Sequence, residues 1–89
     1  MRVEFDASFS KCLDRIKDKT ISAKVIQVIG EAEKASDISS IKNTKKLSGY
    51  SKYYRIRMGD YRLGFEKTEP NTIRFITLMH RKDIYKNFP

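Results

Sequence analysis

Between Tyr53 and Phe65 apolar and charged side chains alternate. Tyr54, Ile56 and Met58 interleave with Tyr53, Arg55 and Arg57, and beyond Gly59-Asp60 the residues Tyr61, Leu63 and Phe65 interleave with Arg62, Gly64 and Glu66. A period of two is the pattern of a half-buried strand. Glycine in the first position of a two-residue loop suits a type II′ turn, so the segment reads as a hairpin. The short loop sets the register, placing Met58 opposite Tyr61, Ile56 opposite Leu63 and Arg57 opposite Arg62. One face is then apolar. The other carries Arg55, Arg57 and Arg62, with Tyr53 beside them and Gly64 expected to open space opposite Arg55.

The remaining pattern supplies the partners of this hairpin. Val3 and Phe5 mark a short strand over Arg2–Phe5, and Asp6 is a suitable N-cap for a helix from Ala7. Phe9, Cys12, Leu13 and Ile16 form a helical stripe. A second helix, with Thr20 as its cap, carries Ile21, Val25, Val28, Ile29 and Ala32. So short a connection predicts an antiparallel helical hairpin, and both stripes read as core. The polar stretch from Ala35 to Asn43 loops back, Leu47 plugs into the core and Gly49 permits a turn. Pro70-Asn71 marks another turn, and the nearly continuous apolar run Ile73–Met79 predicts a strand covered on both faces. The last residues form one helical turn or an extended tail. The expected fold is α+β, in the order β-α-α-β-β-β, with a two-helix hairpin on one face of a small, largely antiparallel twisted sheet.

A chain of 89 residues is read as a single domain, 1–89. At this size folding buries only about 60–65% of the unfolded surface, so the core is thin. The net charge of +8 is unevenly placed. Residues 1–40 are balanced, whereas Lys42, Lys45, Lys46, Lys52, Arg55, Arg57 and Arg62 face only Asp60 over residues 41–62. A basic surface on the sheet half attracts nucleic acid or an acidic protein, unless it is simply a solvated face. The lone Cys12 lies in a core register and suits a reducing cytosol. The N-terminal segment has no signal-peptide pattern and no apolar run is long enough to span a membrane, so the expected location is cytoplasmic. The carboxylates Asp60, Glu66 and Asp83 show no metal-ligand pattern, and no cofactor is expected.

Like charges opposed across strands are destabilising. Three arginines on one small face therefore favour an anion site over long stems that merely cover apolar surface.

Four short motifs occur in order: Lys46-Leu47-Ser48-Gly49, Tyr54-Arg55-Ile56-Arg57, Gly59-Asp60-Tyr61-Arg62 and His80-Arg81-Lys82-Asp83-Ile84-Tyr85. With the order of elements, they resemble the RelE/ParE toxin superfamily of toxin–antitoxin systems over the whole chain. The resemblance implies a toxin of the RelE-like branch, an endoribonuclease that cuts messenger RNA on the ribosome without a metal. It also implies an antitoxin partner, through which alone the complex contacts operator DNA. A ParE-like gyrase inhibitor and a non-catalytic nucleic-acid-binding module remain the alternatives.

In that chemistry the ribose 2′-hydroxyl attacks the adjacent phosphate and the 5′ oxygen leaves. The resemblance implies catalytic roles for Arg62, His80, Arg81 and Tyr85, and substrate binding by Lys46, Arg55 and Arg57. Arg62 matches the arginine that holds the phosphate. Histidine is the side-chain type suited to acid–base work near neutral pH, so His80 suits a general acid or base, or else caps the last strand. Tyr85 stacks on a base or anchors the tail. Arg55 and Arg57 stand where lysine is frequent, and arginine is a poor general base. Ser48 departs from the basic residue common next to the leucine.

Overall fold

In the computed structural model, which describes residues 1–89, the chain runs β1 (Arg2–Phe5), α1 (Ala7–Arg15), α2 (Lys19–Lys34), β2 (Thr44–Lys46), β3 (Tyr53–Met58), β4 (Tyr61–Glu69), β5 (Thr72–His80) and α3 (Ile84–Asn87). The hairpin forms with the register set by its two-residue loop: Met58 pairs with Tyr61, Ile56 with Leu63 and Arg57 with Arg62. Gly59 has φ 61°, as the first central position of a type II′ turn requires.

The five strands make one open sheet, β1-β5-β4-β3-β2, with β1 parallel to β5 and every other pair antiparallel. Asp6 caps α1 by accepting the Ser8 N–H. Asp18, rather than Thr20, caps α2: its carboxylate accepts the Thr20 N–H, so the helix starts at Lys19. Both helices lie on one face of the sheet, where Phe9, Ile21, Val25 and Ala32 pack with Ile56, Met58, Leu63, Phe65, Ile73, Phe75 and Leu78. The polar loop after α2 contributes more than a connection, because a 3₁₀ turn at Ile38–Ser40 delivers Ile41 into this core.

β2 is a strand that hydropathy does not show. Thr44-Lys45-Lys46 has no apolar residue, yet it pairs with Tyr54–Ile56 at the sheet edge. Asn43, at φ 62°, bends the chain into it. A β-turn follows, in which the Tyr50 N–H donates to the Leu47 carbonyl at 3.2 Å and Gly49 takes φ 85°.

The opposite face of the sheet is covered by the C-terminal tail. Ile84 and Phe88 are buried against Leu47, with Tyr53, Ile76 and Met79 around them. The space at Gly64 is therefore not open, as the sequence suggested. A Cβ there would meet the Phe88 ring at 2.8–2.9 Å. This cover explains why β5 is apolar on both sides. β5 also changes phase: Gly64 pairs with Thr77 but Phe65 with Phe75, leaving Ile76 as a bulge. Phe75 and Leu78 thereby share the helix side, while Ile76 and Met79 meet the tail.

Two outcomes follow from this packing. Gly64→Ala overpacks the Phe88 seat and is expected to lower unfolding stability by about 1–3 kcal/mol in urea titrations. The loss should shrink when Phe88→Ala is combined with it, whereas two independent sites would simply add. The second outcome concerns acid. Hydrogen bonds from the Ser8 side chain and backbone hold the Asp6 carboxyl below its ordinary 3.8, and those from Ser39 and Ser40 do the same for Asp37. Both carboxylates thus contribute stability above the unfolded pKa that is lost as pH falls through the lower folded one. The stability gap between the wild type and Asp6→Ala should close on titration below pH 3.8.

Candidate functional site

Because strand residues alternate faces, Arg55, Arg57 and Arg62 emerge on the sheet face away from the helices, beside the tail. Their arrangement is a grid. One row runs from Lys45 through Arg55 to Gly64, and the next holds Arg57 opposite Arg62. The Phe88 ring on Gly64 fills the row next to Arg55. The tail that carries this ring also brings Tyr85 over β3. Arg55 Nε donates to Tyr85 Oη at 3.1 Å, and its Nη1 donates to the Asn43 carbonyl at 3.0 Å. Tyr85 itself is 62% exposed, so the anchors of the tail are Ile84 and Phe88, and Tyr85 is left facing solvent.

These groups line a groove of about 450 Å³ formed by Lys45, Lys46, Leu47, Ser48, Tyr50, Arg55, Tyr85 and Phe88. Of the residues singled out from sequence, Lys46, Arg55 and Tyr85 come together here. Lys45 and Tyr50 were not singled out. Lys45 is the register partner of Arg55, whereas Lys46 pairs with Tyr54. Only knowledge that Thr44–Lys46 is a strand would have revealed it, and nothing in the hydropathy gives that.

Arg57 and Arg62 stand one row away, toward the β3–β4 turn. Arg57 is exposed, with no hydrogen bond from its side chain. Arg62 Nη1 donates to the carbonyls of Gly59 at 2.7 Å and Tyr61 at 2.9 Å, while its Nε is buried without a partner. Arg81 joins the same end of the sheet: its backbone N–H donates to the Asp60 carbonyl at 2.7 Å, and its Nε lies 3.9 Å from the Asp60 carboxylate.

His80 is not brought to this face. It pairs with Tyr61, meets that ring edge-on at 5.8 Å, and lines a cleft with Cys12, Arg15 and Ile16 of α1. Its Nδ1 accepts the Lys82 N–H at 3.2 Å. The reason is the bulge at Ile76. Regular alternation from Phe75 would aim residue 80 at the arginine face, and one extra residue turns it to the helix side. Glu66, a carboxylate on the arginine face, is engaged by Lys52 at 3.2 Å. No group of three or more His, Cys, Asp or Glu side chains comes together in a way that would hold a metal ion. The site is thus a strip of cations with a phenol hydroxyl at its centre, which is suited to holding an anion by forked donors.

Comparison with known proteins places the fold. Residues 3–85 match the family model of the ParE toxin of type II toxin–antitoxin system, parDE. The chain is 38% identical over 90 residues to toxin RelE3 of Methanocaldococcus jannaschii, covering 100% of both chains. Among solved structures it is similar to a chain of the RelB–RelE antitoxin–toxin complex from Methanococcus jannaschii, at 36% identity and a TM-score of 0.79, covering 97% of this chain and 99% of that one. A chain of the archaeal RelE–RelB complex from Pyrococcus horikoshii shares the fold at 23% identity and a TM-score of 0.71, covering 90% of this chain and 93% of that one.

The Lys45–Arg55 pair provides a direct test of the charge strip. Lys45→Gln removes a cross-strand repulsion and is expected to leave thermal stability unchanged or raise it by about 0.2–1 kcal/mol. The same change should weaken binding of a single-stranded oligonucleotide and lower the salt slope of that binding by roughly one. An unchanged slope would place Lys45 outside the binding surface.

Proposed function

The chain belongs to the RelE/ParE superfamily of toxins from type II toxin–antitoxin systems, and from that membership we propose that it is a cytoplasmic, metal-independent endoribonuclease that cuts messenger RNA on the ribosome. The observation that carries this reading is the Arg55–Tyr85 hydrogen bond inside a strip of cations. Tyr85 Oη accepts from Arg55, so its own proton is free to be donated outward.

In the proposed reaction a phosphodiester seats between Arg55 and the Arg57–Arg62 pair. The ribose 2′ oxygen bonds to phosphorus while the bond from phosphorus to the 5′ oxygen breaks. Tyr85 donates its proton to the departing 5′ oxygen and is reprotonated by solvent, with the Arg55 cation beside the transient phenolate. Glu66 is engaged by Lys52 and His80 lies on the helix side, so the 2′ proton passes to solvent. Arg62 and Arg81 serve the phosphorane, which carries more charge than the ground-state phosphate. Lys45 and Lys46 hold flanking phosphates. His80 acts at a distance, by fixing through Lys82 the turn that presents Arg81.

The partner that restrains this activity is an antitoxin with an acidic, amphipathic segment, which covers the basic face by apolar burial and charge pairing. The RelB–RelE complex provides the precedent in a relative. Operator DNA is contacted through that complex and not by this chain alone. A second reading, inhibition of DNA gyrase, draws on the ParE description of the matched family. The phosphate-binding strip and Tyr85 favour the nuclease, because a gyrase inhibitor needs neither.

Mapping RNA 5′ ends after induction, with a gyrase supercoiling assay alongside, separates the readings. Codon-phased cleavage is expected, and gyrase-linked DNA breaks with intact RNA would contradict it. On programmed ribosomes Arg62→Ala should slow single-turnover cleavage by about 10²–10³ while the protein remains folded. Tyr85→Phe should slow the chemical step with little change in RNA binding. His80→Ala should have the smallest effect of the three, and a loss as large as that of Arg62→Ala would require His80 in the chemistry itself.

A further inference from the structure

Tyr50 lines the same groove as Arg55 and Tyr85. The neighbouring Leu47 and Phe88 are buried, yet Tyr50 is 48% exposed. It is nevertheless held in place. Its backbone closes the turn onto Leu47, with Gly49 supplying the positive φ. Its ring meets Tyr53 edge-on at 5.7 Å and 86°, and Tyr53 meets Phe88 edge-on at 5.7 Å and 86°. The Phe88 ring is in turn seated on Gly64. A chain of three rings therefore runs from the middle of the sheet to the rim of a cationic groove, where it presents an aromatic surface to water.

We propose that Tyr50 is a stacking platform for a base of single-stranded RNA, adjoining the phosphates held by Lys45 and Arg55. This rests on the reading of the face as an RNA site and adds a subsite to it. Cations that follow a phosphate backbone, interleaved with aromatic rings that take the bases, are the arrangement by which proteins hold single strands. Every base has a π-face, so the subsite requires an unpaired nucleotide and tolerates any sequence. The contact is remote from the reacting phosphorus and equal in the ground and transition states, so its loss raises KM and leaves kcat nearly unchanged.

The chain contains no tryptophan, so Tyr50→Trp introduces a single indole fluorophore at the rim. The probe is a fully 2′-O-methylated RNA hexamer, which lacks the attacking hydroxyl and is not cut; inorganic polyphosphate provides a polyanion without bases. The hexamer should quench the indole emission of the Tyr50→Trp protein and polyphosphate should not. Tyr50→Ala should bind the hexamer roughly 5- to 150-fold more weakly and polyphosphate as the wild type does, with Tyr50→Phe retaining most of the affinity. Equal loss for both probes would make Tyr50 a support of the groove and overturn the proposal, as would indole emission that the hexamer leaves unquenched. So would a Tyr50→Ala protein that binds the hexamer normally but loses its antitoxin. If hexamer binding depends on Tyr50 while unmodified RNA stays intact on ribosomes, the subsite stands and the nuclease reading fails.

Discussion

The Phe88 ring lies where Gly64 has no side chain, and this one contact joins the core of the molecule to its site. The tail has few other means of attachment: α3 is a single turn, and only Ile84 and Phe88 are buried. With Phe88 seated, Tyr85 is carried over β3 to Arg55, and the edge-on contacts through Tyr53 fix Tyr50 at the far side of the groove. Without it, the apolar patch of Leu47, Ile76 and Met79 would face water. The tail is therefore both a cover for the second face of a thin sheet and the element that completes the proposed active site. A domain this small has little apolar surface to spare, and using one segment for both purposes is consistent with that limit.

The same face carries interactions that oppose folding. Lys45 is placed opposite Arg55 and Arg57 opposite Arg62. Neither pairing is favourable in the free protein. A phosphate between the opposed cations would turn repulsion into paired, charge-assisted hydrogen bonds. The Arg62 guanidinium is held by two backbone carbonyls of its own turn, so its position is set before any ligand arrives. In the proposed reaction, a donor preorganised in this way would lower the barrier because it needs no rearrangement as charge develops.

Much of this was legible in the sequence. The hairpin register followed from a two-residue loop and strict alternation, and that placed Arg57 opposite Arg62. The Asp6 cap and the helical stripes were equally local. What was not legible came from contacts distant along the chain. β2 has no apolar residue and pairs along the edge that β3 offers, so the sequence pattern does not show that Lys45 stands opposite Arg55. The bulge at Ile76 leaves no mark in an almost uniformly apolar run, and it alone turns His80 to the helix side. The space at Gly64 is filled by Phe88, too far along the chain for local pattern to show.

The proposed transesterification at phosphorus by the side chains of this face is tested by the chemistry of the RNA ends left by the purified protein on programmed ribosomes, with one batch of RNA carrying a single 2′-deoxy nucleotide at the mapped cut. The expected products are a 5′-hydroxyl on one fragment and a 2′,3′-cyclic phosphate on the other, with no cut at the 2′-deoxy position. Fragments bearing a 5′-phosphate, or cleavage that continues without the 2′-hydroxyl, would contradict it.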